Sequence, residues 1–206
     1  MHGVILKTLQ DFVIEEYGRD GWETVQQEAD VDEKVYVPVT VYPDQDVYEI
    51  AQAAGDVTGE SPRQILRDYG RYVVPPLVSL YDIHIDEEWT ALELIANIQQ
   101  FHTSLRTRDM VNMTTPRVRS EWVEEGETVR ITYDSDRQLC DVAFGAIQGV
   151  SDLFDTPLVF EEETCMLEGD DQCTFTITSD ERDAGATADA DEHASNEFEF
   201  DTERPA

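Results

Sequence analysis

The sequence predicts an α+β domain, with an N-terminal layer of helices followed by a small, about four-stranded antiparallel sheet carrying an inserted helix. Three observations carry this prediction. Apolar residues recur at three- and four-residue spacing through the first hundred positions. After Pro116 the period falls to two. It returns to helical spacing between Leu139 and Phe154, and two further alternating runs follow.

In the first segment Val4, Ile5, Leu9, Phe12 and Val13 share a helical face, and Tyr17-Gly18 ends it. A second short helix covers Gly21 to Glu28. Val31 to Tyr42 is rich in β-branched residues and stops at Pro43, so it reads as a connector of weak extended character. Asp44 or Asp46 then caps a helix through Ala53. Ser61-Pro62 opens another, with Ser capping and Pro at the first helical position, and this one carries Ile65, Leu66, Tyr69 and Tyr72. Pro75-Pro76 breaks its pattern.

The next helix is expected from about Asp86, with Glu87 and Glu88 in its first turn, to about Arg106 or Arg108, whose charges favour the carboxyl end of the dipole. Ile95, Ile98, His102 and Leu105 form one apolar stripe along it, which turns His102 inward. Arg117 to Val123 and Glu127 to Tyr133 read as an antiparallel pair around Glu124-Glu125-Gly126. Val118, Ser120 and Trp122 oppose its charged face. The inserted helix places Leu139, Val142, Ala143, Ala146, Ile147 and Val150 on one side. Leu158 to Glu163 and Cys173 to Thr178 complete the sheet across the Gly169-Asp170-Asp171 turn. Residues 1–178 therefore form the domain. Residues 179–206 are acidic and poor in large apolar side chains until Phe198 and Phe200, so a disordered tail is predicted with no effector domain after it.

Charge narrows the function. The chain has 46 Asp plus Glu against 14 Lys plus Arg, with only Lys7 and Lys34 as lysines, and the net charge of −32 argues against nucleic acid or an anionic membrane as partner. A surface of this kind suits molar salt, where a Debye length of about 3 Å screens self-repulsion. A halophile's cytoplasm is the expected setting. The sequence has neither a membrane-spanning apolar run nor the features of a signal peptide, so no membrane insertion is expected. Three cysteines in a reducing compartment do not suggest a disulfide framework, and a metal site is the alternative.

Two features carry chemistry. If Ile131 to Arg137 is extended, Tyr133, Ser135 and Arg137 project to one face, and a phenol, a hydroxyl and a guanidinium together suit an anion with two oxygens. Taken alone, the pattern also fits a solvated strand face near a turn. A lone histidine on an apolar stripe is ordinarily a core residue bonded through one nitrogen.

The combination is more specific. Tyr133-x-Ser135-x-Arg137, with His102 about thirty residues upstream, resembles the haem nitric oxide/oxygen binding (H-NOX) domain, the sensor domain related to that of soluble guanylate cyclase. The opening Met1-His2-Gly3-Val4-Ile5-Leu6, through Phe12-Val13 and Glu16-Tyr17-Gly18, is similar to the family's start, and the likeness extends to about Thr178. The resemblance implies haem b as cofactor, His102 as axial ligand and Tyr133, Ser135 and Arg137 as a propionate clamp. It also implies Ile5, Leu9, Pro116, Val142 and Phe144 around the haem. His84 is the rival axial candidate but matches no family motif, while His2 and His193 stand near the termini.

Oxygen-binding members of the family carry a donor tyrosine nine residues after the clamp tyrosine, and this chain has Val142 there. The resemblance therefore implies nitric oxide or carbon monoxide as ligand and no stable oxygen complex, unless Tyr69 or Tyr72 swings in as a donor. Nitric oxide is expected to weaken or break the bond to His102. The listener is then a separate protein, such as a histidine kinase, a cyclic-nucleotide enzyme or a chemotaxis receptor. No nucleotide-binding glycine motif, nucleophile set or phosphate loop points to an enzyme.

Cys165 and Cys173 flank the last turn, where a hairpin brings them together, and Cys140 lies early in the inserted helix. These positions resemble those of an H-NOX subgroup that carries zinc, in which a histidine three residues before the second cysteine completes the set. Here that position is Glu162, and a carboxylate can ligate zinc. The hairpin also resembles the cysteine motif of 4-vinyl reductase domains. An alternative reading is a thiol or zinc redox sensor, with haem secondary or absent.

Overall fold

A computed structural model describes residues 1–29, 31, 35–80, 85–86, 88–107 and 115–179, and gives the backbone alone for 101 and 103–107. Helix α1 spans Gly3–Glu28 and buries Leu6, Leu9, Phe12, Val13, Trp22 and Val25. It is interrupted at Gly18 (φ 78°, ψ 171°), a conformation open to glycine. The two expected helices are thus halves of one element, divided where the sequence placed the break. Helix α2, Gln45–Thr58, ends on Gly59 in the left-handed region.

Helix α3, Pro62–Leu80, begins as expected, with Ser61 Oγ accepting from the Gln64 N–H at 3.2 Å. It does not stop at Pro75-Pro76, and that expectation is corrected. A proline inside a helix costs about 3 kcal/mol. Val73, Val74, Leu77 and Val78 all pack into the interior around these prolines. Val73 and Val74 are buried and Leu77 and Val78 partly so, and at about 1.5–3 kcal/mol for a fully buried side chain this packing works against the local cost.

Helix α4 spans Ala91–Thr107, so its start lies beyond Asp86. The cap is Thr90 instead: its Oγ1 accepts from the Glu93 N–H at 3.3 Å, and Glu93 Oε2 accepts from the Thr90 N–H at 2.8 Å. That reciprocal pair satisfies two end donors at once. Asp86 shapes the preceding turn, accepting from the Glu88 N–H at 3.0 Å.

Strands β1 (Arg117–Glu124), β2 (Thr128–Asp134), β3 (Leu158–Thr164) and β4 (Cys173–Ser179) form one antiparallel sheet in the order β1-β2-β4-β3. Helix α5, Cys140–Leu153, is inserted between β2 and β3. The register sets Tyr133 of β2 opposite Cys173 of β4. Beyond Ser179 the expected acidic tail lies outside the described residues.

Two apolar clusters result. The helical one centres on α1, α2 and the start of α3, and the other joins α4 and α5 to the inner face of the sheet. Helices α3 and α5 bridge them at close range, since a Cβ on Gly70 would stand 2.3 Å from the Val142 carbonyl oxygen. Among the described residues no helix is long and apolar enough to cross a membrane.

Candidate functional site

A cavity of about 310 Å³ is walled by α1, α3, α4, β2 and α5. Most of its lining is aliphatic, with Ile5, Val73, Leu77, Ile95, Ile98 and Val142 among the contributors. Its polar side chains include His2, Tyr69, His102, Thr115, Tyr133, Ser135 and Arg137. An apolar chamber with a few converging polar groups is the usual form of a small-molecule or cofactor site.

His102 reaches this wall from α4. Its Nδ1 lies 2.9 Å from the Ile98 carbonyl oxygen one turn earlier. A carbonyl can only accept, so Nδ1 donates to it, which in the neutral ring leaves the lone pair on Nε2, the arrangement of a metal-ligating imidazole. His84 lies outside the described residues, as does the side chain of Leu105.

Tyr133, Ser135 and Arg137 all line the cavity, but not as one extended strand. β2 ends at Asp134, and a turn follows in which the Gln138 N–H donates to the Ser135 carbonyl at 2.9 Å. Gln138 has φ 47°. The extended reading of Ile131 to Arg137 is therefore corrected: the turn, rather than strand alternation, brings the last two residues round. Burial pushes the Tyr133 phenol above its usual range, against a lowering hydrogen bond from Ser135, and the phenol stays protonated at neutral pH. Arg137 places Nε 2.8 Å from Asp44 Oδ1, and its carbonyl accepts from the Tyr48 hydroxyl.

Ile5, Pro116 and Val142 also face the cavity. Leu9 and Phe144 are not among its lining residues. Leu9 is fully buried in the helical cluster, and Phe144 packs against Phe160 at 4.8 Å with the Arg67 guanidinium 4.2 Å above its ring. His2 and Tyr69, by contrast, do line the cavity. His2 stands three residues before Ile5, a helical spacing that signals the same face. The Tyr69 phenol donates to the Ile5 carbonyl at 2.8 Å and lies 2.9 Å from Thr8 Oγ1. Tyr72 instead donates to Glu15 at 3.1 Å.

The three cysteines converge as the hairpin suggests. All are buried, and their sulfurs lie within 4.8 Å of one another, with Cys165 and Cys173 4.0 Å apart. The Met166 N–H donates to Cys173 Sγ at 3.4 Å, and the Leu167 N–H donates to Cys165. Burial pushes the Cys165 thiol up to about 11 and Cys140 further still. Glu162 hydrogen-bonds Cys165, but its carboxylate lies outside the mutual cluster. Three sulfurs, two of them supplied with N–H donors, suit a thiophilic cation such as zinc, leaving one tetrahedral position for Glu162 or water.

The fold and cavity define an α+β domain built around an apolar chamber, with imidazoles, hydroxyls and a guanidinium on its wall. The Haem-NO-binding family model matches residues 2–162. The chain belongs to this family, whose H-NOX domains bind haem and sense gases. Among solved structures it is similar to an H-NOX protein from S. oneidensis in the Fe(II)NO ligation state, with a TM-score of 0.79 and 21% identity over 87% of this chain and 99% of that one. The I5F mutant of T. Tengcongensis H-NOX is similar at a TM-score of 0.76 and 20% identity, over 87% of this chain and 98% of that chain. The donor set fits haem: the chamber is apolar, an imidazole nitrogen suits iron, and a guanidinium with two hydroxyls suits propionate.

Proposed function

We propose that this chain is a haem-based sensor of nitric oxide, with haem b ligated by His102 and its propionates held by Tyr133, Ser135 and Arg137. The observation that carries the reading is the shared placement of His102, with its Nδ1 at the Ile98 carbonyl, and of Tyr133, Ser135 and Arg137 on one apolar cavity. Haem supplies an iron centre for diatomic ligands, and the chain's residues set which ligand is retained.

Retention of oxygen depends on a hydrogen-bond donor, whereas nitric oxide binds ferrous iron strongly without one. Val142 has no hydrogen to offer. Tyr69 has one, but it is given to the Ile5 carbonyl, and the nearby Thr8 hydroxyl has the Val4 and Ile5 carbonyls within 3.0 Å. Tyr72 is turned outward to Glu15. Among the described residues at these three positions, none directs a hydrogen into the chamber, which favours nitric oxide and carbon monoxide over oxygen. Similar H-NOX structures from S. oneidensis have been solved in an Fe(II)NO and in an Fe(II)CO state. The output passes to a separate effector, such as a histidine kinase, a cyclic-nucleotide enzyme or a chemotaxis receptor.

A second input is favoured by the sulfur cluster: zinc held by Cys140, Cys165 and Cys173, with Glu162 as candidate fourth ligand, and released on thiol oxidation. Absorption spectra of the purified protein, with and without dithionite and nitric oxide, separate the readings. A Soret band that shifts on adding nitric oxide is expected. Protein reconstituted with hemin that shows no protein-bound Soret band would leave the cysteine reading alone.

A further inference from the structure

We infer that Arg63 is a positioning residue for the sulfur cluster, tying the hairpin that carries Cys165 and Cys173 to the start of the helix that carries Cys140. The inference rests on the reading of the three cysteines as a metal site and adds a residue that is not itself a ligand. The sulfurs come from two separate segments. Cys140 is the first residue of α5, whereas Cys165 and Cys173 bracket the turn Met166–Glu168. Bonds within the hairpin set its own shape: the Cys165 N–H donates to Asp170 Oδ2 at 2.9 Å, and the Glu168 N–H donates to the Cys165 carbonyl at 2.9 Å. Neither bond reaches α5.

Arg63, in the first turn of α3, spans that gap. Its Nε donates to Asp141 Oδ2 at 3.0 Å and its Nη1 to Glu168 Oε1 at 3.2 Å. Asp141 directly follows Cys140, and Glu168 lies between the two hairpin cysteines, so one guanidinium joins both sources of sulfur. The α5 end of this bridge is firm. Asp141 is 3% exposed, and its other oxygen accepts from Arg67 Nε at 2.8 Å. One turn further on, Gly145 lets the α3 and α5 backbones meet. Leu139, at the N-cap of α5, makes no side-chain capping bond, and the first turn is anchored through Asp141 instead. The hairpin end is the exposed one, with Glu168 at 67%.

Positioning and simple charge predict opposite outcomes at Glu168. A zinc ion brings two positive charges and displaces three thiol protons, which leaves the site one unit more negative. A nearby carboxylate opposes that change, so removing it strengthens zinc binding if charge alone matters. If the Arg63 bridge positions the hairpin, removing it weakens binding. The test is the zinc affinity of the full-length protein, read by competition with a chromophoric chelator at one fixed salt concentration. Arg63→Gln is expected to bind zinc about 10-fold more weakly than wild type, the lower end of what is lost when a ligand's supporting partner is removed. Glu168→Gln is expected to bind it about 3-fold more weakly, within the range of an exposed ion pair. In the zinc-free protein, amide hydrogen exchange of Met166 to Asp170 should quicken in both variants. It should stay at the wild-type rate in Arg67→Gln, which removes the other partner of Asp141 and leaves the Glu168 bond in place. Zinc affinity that is unchanged or higher in Glu168→Gln, or hairpin exchange that is unchanged in Arg63→Gln or equally quickened in Arg67→Gln, would overturn the inference. Wild-type protein that binds no zinc would refute the metal reading, with the exchange experiment still deciding whether Arg63 holds the hairpin.

Discussion

Gly145 of α5 lies so close to α3 that a Cβ on it would stand 1.9 Å from the carbonyl oxygen of Arg67. Neither backbone can yield without moving a helix that walls the cavity. Substitution to alanine therefore forces the two helices apart, and overpacking of this kind costs about 1–3 kcal/mol or more. Gly145→Ala is expected to lower the unfolding temperature of the haem-free protein by about 4–10 °C in a scan at constant salt, given the usual scaling for a chain of this size. An unchanged midpoint would mean that α3 and α5 are separated by more than the structure places between them.

His102→Ala leaves the clamp in place and removes the imidazole whose Nδ1 is fixed by Ile98. Expected are loss of most bound haem on purification and recovery of a Soret band when imidazole is added to fill the vacated space. The assignment fails if this variant keeps a wild-type spectrum while His84→Ala loses haem.

Val142→Tyr installs a phenol on the cavity wall, where the native side chain offers no donor. The ferrous wild-type protein should oxidise in air without a persistent oxy spectrum, and the variant should hold one. If wild type itself gives a stable oxy spectrum, Tyr69→Phe identifies whether the phenol bonded to Ile5 had turned to donate. A stable oxy form in wild type would defeat the assignment to nitric oxide.

The sulfur cluster should hold about one zinc per chain, a stoichiometry read by elemental analysis of protein prepared without a metal-affinity tag. Cys173→Ala should lower it to near zero, because two of the three sulfurs cannot anchor a tetrahedral ion alone. Glu162→Gln should weaken zinc without abolishing it. Three freely titratable thiols and no zinc in the wild-type protein would return these residues to ordinary core packing.

A net charge of −32 works against the compact state through self-repulsion, which salt screens. The Debye length is about 10 Å at 0.1 M and about 3 Å at 1 M. The unfolding midpoint should therefore rise steeply between 0.1 M and molar potassium chloride. Equal midpoints at both concentrations would show that the acidic surface carries no salt requirement.

What the sequence alone determined lies in its local patterns. Period, turn residues and charge depend on neighbours along the chain, and so the helical layer, the break at Gly18, the hairpin at Gly126 and the approach of Cys165 to Cys173 were all legible. His102, Tyr133, Ser135 and Arg137 were singled out together through the family resemblance, and the structure sets all four on one cavity. Tertiary packing decided the rest. Pro75 and Pro76 are strong breakers locally, but burial of Val73 and Val74 before them and packing of Leu77 after them keep α3 continuous. Asp86 was the expected start of α4, and the reciprocal bond between Thr90 and Glu93 sets the cap at Thr90 instead. No local signal turned Phe144 toward Phe160 and away from the cavity, or placed Asp44 against Arg137. Those contacts join residues far apart in sequence, whose relative positions are fixed only when the helical cluster docks on the sheet and buries the apolar surface of both.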